Sequence, residues 1–378
     1  MDSPRLVYFG QTPDQGTGSP VILLRHLRRL AAGGWRIELV TEDGQSDALA
    51  EKWPIHHLSL RKPWWPPFRA GNRFLRSLRM RLWAGECARF FPEAPQAIVS
   101  YLSLYSEMHS EVAAHYARRC SAPLTLIIHD YPPDFPGFDR RQTAPMLRRS
   151  EWILKQAHQL WFVSPELADQ YDVPASKKHV LPPIPEGVAE RARWRAENAR
   201  PLIVYAGFAY PAQMPLFARL ARVIAAAGGR LLILSRSTPE LCALCEAEPV
   251  EHRDLFPTNR EALDFITRNA SAVLVSYSER VEEMPWTRTS FPSKFVEFSQ
   301  TGLPALLVAP RETALGQWAT RNAYPDFYAP ERIENAAAFV EALKTERGWA
   351  EKSANSSHFA ETEFNPDVIQ SAFEAGLR

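Results

Sequence analysis

The sequence predicts an α/β chain of two similar domains, each built on a parallel sheet. Three observations carry that expectation. The same strand, glycine, helix, strand opening occurs twice, its strands are mostly apolar, and 378 residues exceed one ordinary core. An apolar fraction of 46% with 23% charged residues excludes a disordered tail or a fibre.

The first opening reads LVYF, Gly10, a loop through Gly16 and Gly18, then SPVILLRHLRRLAA. That segment carries Val21, Leu24, Leu27, Leu30 and Ala31 at helical spacing, Gly33 and Gly34 cap it, and RIELVT returns as a strand. The second opening begins 197 residues later. PLIVYA ends at Gly207, PLFARLARVIAAA places Phe217, Leu220, Ala221 and Ile224 on one face, Gly228 and Gly229 cap it, and LLILS follows. Between them QAIVSYL, LTLIIHD and QLWFVS read as further buried strands, and the Pro-rich, charged stretch up to residue 198 reads as a boundary. In the second half ALDFITRNA reads as helix, SAVLVS as strand, FVEFSQTGLPALLVA as helix, glycine cap and strand, and NPDVIQSAFEAGL as a last amphipathic helix. Domains of 1–190 and 198–358 result. Tandem parallel sheets put ligand crevices at the carboxyl ends of their strands, and two such domains facing across a cleft would place the chemistry between them.

Four cysteines cannot build a disulfide framework, and Cys242 and Cys245, a lone CxxC within a helical pattern, read as core packing before metal or redox chemistry. No run approaches the ~18 to 20 apolar residues of a spanning helix, and Asp2, Pro4 and Arg5 precede only a five-residue apolar run. Neither an anchor nor a secretory signal is expected, which places the chain in the cytoplasm. The net charge of +1 hides an imbalance: residues 1–150 hold 20 Lys and Arg against 14 Asp and Glu, and Arg61 to Arg89 holds eight basic residues against Glu86 alone.

Gly16, Thr17, Gly18 and Ser19 follow a strand and open a helix, where main-chain amides can approach an anion; a plain structural turn is an equal alternative. The most informative segment is SAVLVSYSERVEEMPWTRTSFPSKFVEFSQTGLPALLVAP. Its sixteen-residue loop, Tyr277 to Pro292, is of a length that usually serves function. Thr289, Ser290 and Phe291 would bring amides to the helix start, with Pro292 fixing φ and Ser293 as cap, making a pyrophosphate seat. Lys294 would add charge there, and Glu297, four residues after Ser293 on the same face, is placed to accept ribose hydroxyls. The plain alternative is an amphipathic helix with its acid and base in solvent.

TSFPSKFVEFSQTGLPALLVAP resembles the nucleotide-sugar segment of GT-B glycosyltransferases, especially glycosyltransferase family four, in which the helix glutamate holds the donor ribose. GTGSPVILLRHLRRLAAGGWRIELVT, EWILKQAHQLWFVSPELADQY and VYAGFAYP are similar to the family's glycine loop and first helix, its last N-terminal helix and strand, and the first donor-domain strand. The resemblance extends over most of the chain. It implies the GT-B architecture, two Rossmann-like domains facing across a cleft, with an acceptor-binding N-terminal domain onto which a C-terminal helix, 360–378, packs back. It implies transfer of a sugar, with retention, from a nucleotide-diphosphate donor, UDP- or GDP-linked, to a glycan or lipid-linked acceptor in cell-surface polysaccharide or glycolipid assembly. His129, at the end of PLTLIIHD, resembles the family's active-site histidine, with Asp130 beside it; a structural histidine is the plain alternative.

Two departures stand out. The position eight before Glu297, commonly acidic, is Thr289, and Gly207 is followed by FAYPAQMP in place of a cationic pair. Charge on the diphosphate would then come from Lys294, Arg288, Arg236 or main-chain amides. No Asp-x-Asp pair offers a divalent metal a seat, so metal-independent transfer without a further cofactor is expected.

Arg61, Lys62, Arg69, Arg73 and Arg76, mixed with Trp64 and Trp65, suit a helix and loop lying on anionic lipid, consistent with peripheral association at the inner face of the membrane. Nucleic acid uses the same ingredients but is not the expected partner, and a solvated helix facing its own domain is the plain alternative. Two rival functions remain: a non-catalytic glycosyltransferase-like partner protein, or a sugar-nucleotide epimerase on the same fold.

Overall fold

The computed structural model describes every residue except 1–2, 14–17, 42–51, 59–72, 103–106, 135–139, 188–189 and 196–198. The chain divides into two compact units, Met1–Leu181 with Gln370–Arg378 (unit 1) and Pro182–Ile369 (unit 2).

Unit 1 runs β1 (Arg5–Phe9), α1 (Ser19–Ala32), β2 (Arg36–Thr41), β3 (Ile55–His57), α2 (Arg73–Phe90), β4 (Ala97–Leu102), α3 (Glu107–Cys120), β5 (Leu124–Ile128), α4 (Arg140–Gln156), β6 (Gln159–Phe162), α5 (Pro165–Ala168) and β7 (Lys178–Val180). Unit 2 follows with β8 (Leu202–Ala206), α6 (Met214–Ala226), β9 (Arg230–Leu234), α7 (Pro239–Ala247), β10 (Val250–Arg253), α8 (Asn259–Asn269) and β11 (Ala272–Ser276). It continues through α9 (Ser293–Ser299), β12 (Ala305–Val308), α10 (Ala314–Arg321), β13 (Phe327–Tyr328), α11 (Ala336–Leu343) and α12 (Glu346–Glu361). The last helix, α13 (Pro366–Ala375), begins in unit 2 and ends in unit 1.

Among the described residues unit 1 carries a seven-stranded sheet, order β3-β2-β1-β4-β5-β6-β7, and unit 2 a six-stranded sheet, order β10-β9-β8-β11-β12-β13. Every pairing is parallel. This is the two-sheet α/β architecture the repeated openings predict. β1, β4 and β5 are buried at every position, which is why their sequences do not alternate. α1 buries Ile22, Leu23, Leu24, Leu27 and Leu30, and α6 buries Leu216, Phe217, Leu220, Ala221 and Ile224. Both helices stop where a glycine takes a positive φ, +92° at Gly34 and +73° at Gly228, a conformation that disfavours side chains.

The Pro-rich stretch after Leu181 belongs to unit 2. Glu186 N–H donates to Glu297 Oε1 at 3.2 Å, Ala192 N–H to the Thr301 carbonyl at 2.7 Å, and Arg195 Nη2 to the Ala270 carbonyl at 3.0 Å. The residues that return to unit 1 are Gln370–Arg378. Gln370 Oε1 lies 2.8 Å from His26 Nδ1, Trp35 donates its indole N–H to Glu374 at 3.1 Å, and Phe373 meets Trp161 edge-on at 5.9 Å. The CxxC is not core: Cys242 is exposed and Cys245 half-buried on α7, both as free thiols. Only Leu241 and Leu244 of that helix face inward, so the two sulfurs fall on its wetter side.

In each sheet the strand order reverses once, between β1 and β4 and between β8 and β11. The crevice beyond the carboxyl ends of those pairs is where an open α/β sheet takes its ligand.

Candidate functional site

In unit 2, β8 ends at Gly207 with φ +137°. The Lys294 ammonium occupies the point a Cβ would fill, 1.0 Å from its Nζ, so it can rest there only while residue 207 carries no side chain. The Lys294 ammonium sits 5.2 Å from the Tyr205 ring centroid, and desolvation lowers its pKa to about 8. Among the described residues no carboxylate pairs with it. Lys294 is thus a half-buried cation without an acidic partner among the described residues, at the switch point of the sheet.

The loop after Gly207 is tied down by its own side chains. Tyr205 donates its hydroxyl to the Phe208 carbonyl at 2.9 Å, Ala209 N–H donates to Ser235 Oγ at 3.0 Å, and Tyr210 N–H to Gln213 Oε1 at 3.0 Å. Gln213 in turn donates to the Ser276 carbonyl at the end of β11, 2.8 Å away. Phe208 and Tyr210 remain exposed, 4.7 Å apart, with Trp286 5.4 Å from Tyr210. Spacing did not single out these aromatics or Gln213; the FAYP run was their signal, and it was read only for its missing cations. Arg236, exposed just past the end of β9, supplies a second cation at the same edge, with no ion-pair partner among the described residues.

α9 has seven residues, too few to persist alone, and is held by burial of Phe295, Val296 and Phe298. Phe295 packs on Trp318 at 5.0 Å and Phe364 at 5.5 Å, and a fully buried Phe contributes about 1.5–3 kcal/mol. Lys294 and Glu297 lie one turn apart on this short, well-anchored helix. Glu297 is buried, with Oε1 already accepting the Glu186 N–H.

Two of the three amides expected at the pyrophosphate seat are engaged elsewhere. Residues 281–283 and 285–288 form two 3₁₀ turns, and the Trp286 carbonyl takes the N–H groups of both Thr289 and Ser290, at 3.2 and 2.9 Å. Those amides close a turn and are not presented to a ligand. Thr289 is buried, its hydroxyl 3.4 Å from the same carbonyl. Phe291 is a core residue, packed on Trp318 and Phe364 at 5.8 Å each. Ser293 is the exposed first residue of α9 and Pro292 takes the cap position, with no side-chain bond, so Ser293 caps nothing. Arg288 is paired with Glu282 at 3.0 Å.

In unit 1, His129 and Asp130 follow β5 beside Tyr101 near the end of β4. Tyr101 donates its hydroxyl to Ser19 Oγ at 2.6 Å and lies 3.5 Å from Asp130 Oδ2. Gly18, at φ +79°, turns the chain into α1, while Gly16 and Thr17 lie outside the described residues. His129 stands edge-on to Tyr101 at 5.2 Å, and burial, reinforced by His26, lowers its pKa to about 3. It is therefore a neutral hydrogen-bonding group at physiological pH. Asp130 moves the other way, to about 6, because burial outweighs its contact with Tyr101. Tyr101 is the residue that joins Ser19 to Asp130, and a sequence offers no signal for a hydroxyl that reaches across 82 positions.

Arg61, Lys62, Trp64, Trp65 and Arg69 lie outside the described residues, as does the Arg73 side chain. Arg76 is corrected: its guanidinium bonds Glu111 Oε2 through Nε at 2.8 Å and Nη2 at 2.6 Å, so its charge is met by α3 and not held for lipid. Leu78 and Leu82, one turn apart on α2, are exposed. No helix among the described residues is long and apolar enough to cross a membrane, and no group of three or more His, Cys, Asp or Glu there could hold a metal ion.

Neither a protein-family model nor a curated protein matches the sequence. Solved structures do match. Sucrose-phosphate synthase from Thermosynechococcus elongatus aligns with a TM-score of 0.68 at 13% identity, covering 98% of each chain. Anabaena HepE, solved with UDP and glucose, aligns with 0.66 at 12% identity over 99% of each chain. The lipopolysaccharide outer core galactosyltransferase WaaB, in its apo form, aligns with 0.63 at 11% identity over 99% of each chain. The fold is GT-B. Within it, the Lys294–Gly207 contact stands at the β8/β11 switch point of the second unit.

Proposed function

We propose that the chain is a glycosyltransferase that moves a sugar from a nucleoside-diphosphate donor to a glycan or lipid-linked saccharide. The observation that carries this reading is the Lys294 ammonium, packed over Gly207 and one helical turn from Glu297. A diphosphate would take the charge of Lys294, with Arg236 at the same edge, and the Glu297 carboxylate would accept a ribose hydroxyl. The bound UDP of Anabaena HepE supports a donor of that kind. Bond cleavage at the sugar leaves negative charge on the diphosphate, and a half-buried cation already in place stabilises it with little reorganisation.

His129, neutral, would hydrogen-bond the transferred sugar, and Asp130 would stand beside it. Unit 1 would carry the acceptor. No protein nucleophile is required: with retention of configuration, a donor phosphate oxygen takes the acceptor's proton. The reaction uses no metal and no cofactor beyond the nucleotide sugar. The basic, aromatic stretch before α2, with Leu78 and Leu82 exposed on that helix, supports action on lipid-linked acceptors at a membrane surface, in polysaccharide or glycolipid assembly.

The buried Thr289, where related enzymes commonly place an acid, favours a second reading: a partner protein that binds nucleotide and transfers nothing. Thermal shifts with UDP, GDP, ADP and dTDP and their sugar conjugates, run on wild type and Glu297→Ala, test the donor site. A shift that disappears in the variant upholds it. Release of nucleotide from the matching sugar conjugate in the presence of saccharide acceptors then separates enzyme from partner protein.

A further inference from the structure

At the other end of the unit 2 sheet, a depression of about 710 Å³ opens where β8 and β9 begin and spreads over β10 beside α8. Alternation along β9 and β10 turns Arg230 and Leu232, and Glu251 and Arg253, to one face. Arg195, Arg200 and Arg268 complete its rim. Five arginines thus share one concavity with one carboxylate, and Glu251 is spent on Arg230 through bonds of 2.6 and 2.5 Å.

The other four have no acidic partner among the described residues. Arg195 is held by the Ala270 carbonyl. Arg253 is held by rings, its guanidinium 4.4 Å from the Phe256 centroid and 4.7 Å from that of Phe265. Arg200 and Arg268 are exposed and unbonded to protein. Like charges in a concave wall focus a positive potential, and planar guanidinium forks match tetrahedral oxyanions better than ammonium groups do. The floor is apolar, with Leu202, Leu232 and Phe265, so a ligand's organic part would also find contact.

We propose that this depression is a second anion site, which binds a multiply charged phosphate ester independently of the donor seat at Gly207 and Lys294. The two sites lie at opposite ends of β8, whose five residues span roughly 16 Å, so one small ligand cannot bridge them. The proposal does not depend on glycosyl transfer.

The test uses the full chain with Lys294→Ala, which removes the donor-seat cation, and adds Arg200→Glu with Arg268→Glu. Both arginines are exposed and without protein partners, so the melting temperature should not move, and that is checked first. Pyrophosphate titrated by calorimetry should bind the Lys294→Ala protein and bind at least tenfold more weakly once both charges are reversed. Flotation with phosphatidylglycerol vesicles, against phosphatidylcholine vesicles, forms the second arm. Vesicle binding that falls on charge reversal, with no pyrophosphate binding, would identify a lipid-borne phosphate. If charge reversal alters neither pyrophosphate nor vesicle binding, the site does not exist.

Discussion

If the proposed nucleotide site stands at Lys294, replacing Gly207 with alanine should disable it while leaving the fold in place. The new Cβ would stand 1.0 Å from Lys294 Nζ and 2.3 Å from Cε. Those atoms are the end of a flexible side chain, so the lysine swings away and the backbone absorbs the remaining cost. At φ +137° a side chain costs about 1–3 kcal/mol, which lowers the melting temperature of a unit this size by roughly 2–12 °C. The larger effect is on binding. A charge-assisted contact to phosphate contributes about 1.5–3 kcal/mol, so nucleoside diphosphate affinity should fall about 10- to 150-fold. Lys294→Ala should lose the same amount, and the double variant no more than either single one, because both changes vacate the same point. Calorimetric titration of the nucleotide found in the thermal screen provides the four affinities. Additive losses, or wild-type affinity in Gly207→Ala, would refute the idea that the glycine exists to seat the ammonium.

Four more outcomes follow from three buried titratable groups. Lys294, lowered to about 8 by desolvation, would bind the proposed diphosphate only while protonated, so affinity should be flat below pH 8 and fall up to tenfold per unit above it; Lys294→Met should abolish that slope in calorimetry. The unliganded unit 2 should gain stability between pH 8 and 10.5, because there the unfolded lysine holds a proton that the folded one has lost. Asp130, raised to about 6, costs nothing below pH 3.8 and a growing amount as pH rises to 6, so Asp130→Asn should stabilise unit 1 by up to about 3 kcal/mol at pH 7.5 and not at pH 3.5, in thermal melts. His109, buried with neither ring nitrogen hydrogen-bonded and lowered to about 4, should make unit 1 acid-sensitive; His109→Leu should flatten the fall in melting temperature between pH 6.5 and 4.

The sheets were legible because strands buried on both sides are mostly apolar along their length, and no helix of either opening shares that pattern. The placement of Lys294 and Glu297 one turn apart was legible for a similar reason, since a spacing of three on one helix is a statement about geometry. The amides of Thr289 and Ser290 were not, because their fate rests on a single carbonyl, Trp286, whose direction is set by two tight turns that leave no periodic trace. Arg76 was read with its charged neighbours along the chain, whereas its partner Glu111 stands on another helix, 35 positions on. Composition reports a patch, and only packing reports which of its charges are already answered. The exposed Cys242 is the same lesson in reverse, since α7 has too few inward positions to bury both thiols.

Gly376 lies so close to Gln159 and Trp161 that a Cβ there would meet them at 2.2 and 2.7 Å. Together with Gln370, Phe373 and Glu374 it fills a gap that the first 181 residues leave open. The domain translated first is therefore finished last. At about 5–20 residues per second, unit 1 waits roughly 10–40 s for its final strap while all of unit 2 is made. During that interval Trp35, Trp161 and the His26 face of α1 are without their cover. A nascent chain of this design needs either a chaperone at that face or a unit 1 that tolerates being incomplete, and a ribosome stalled after residue 369 would show which.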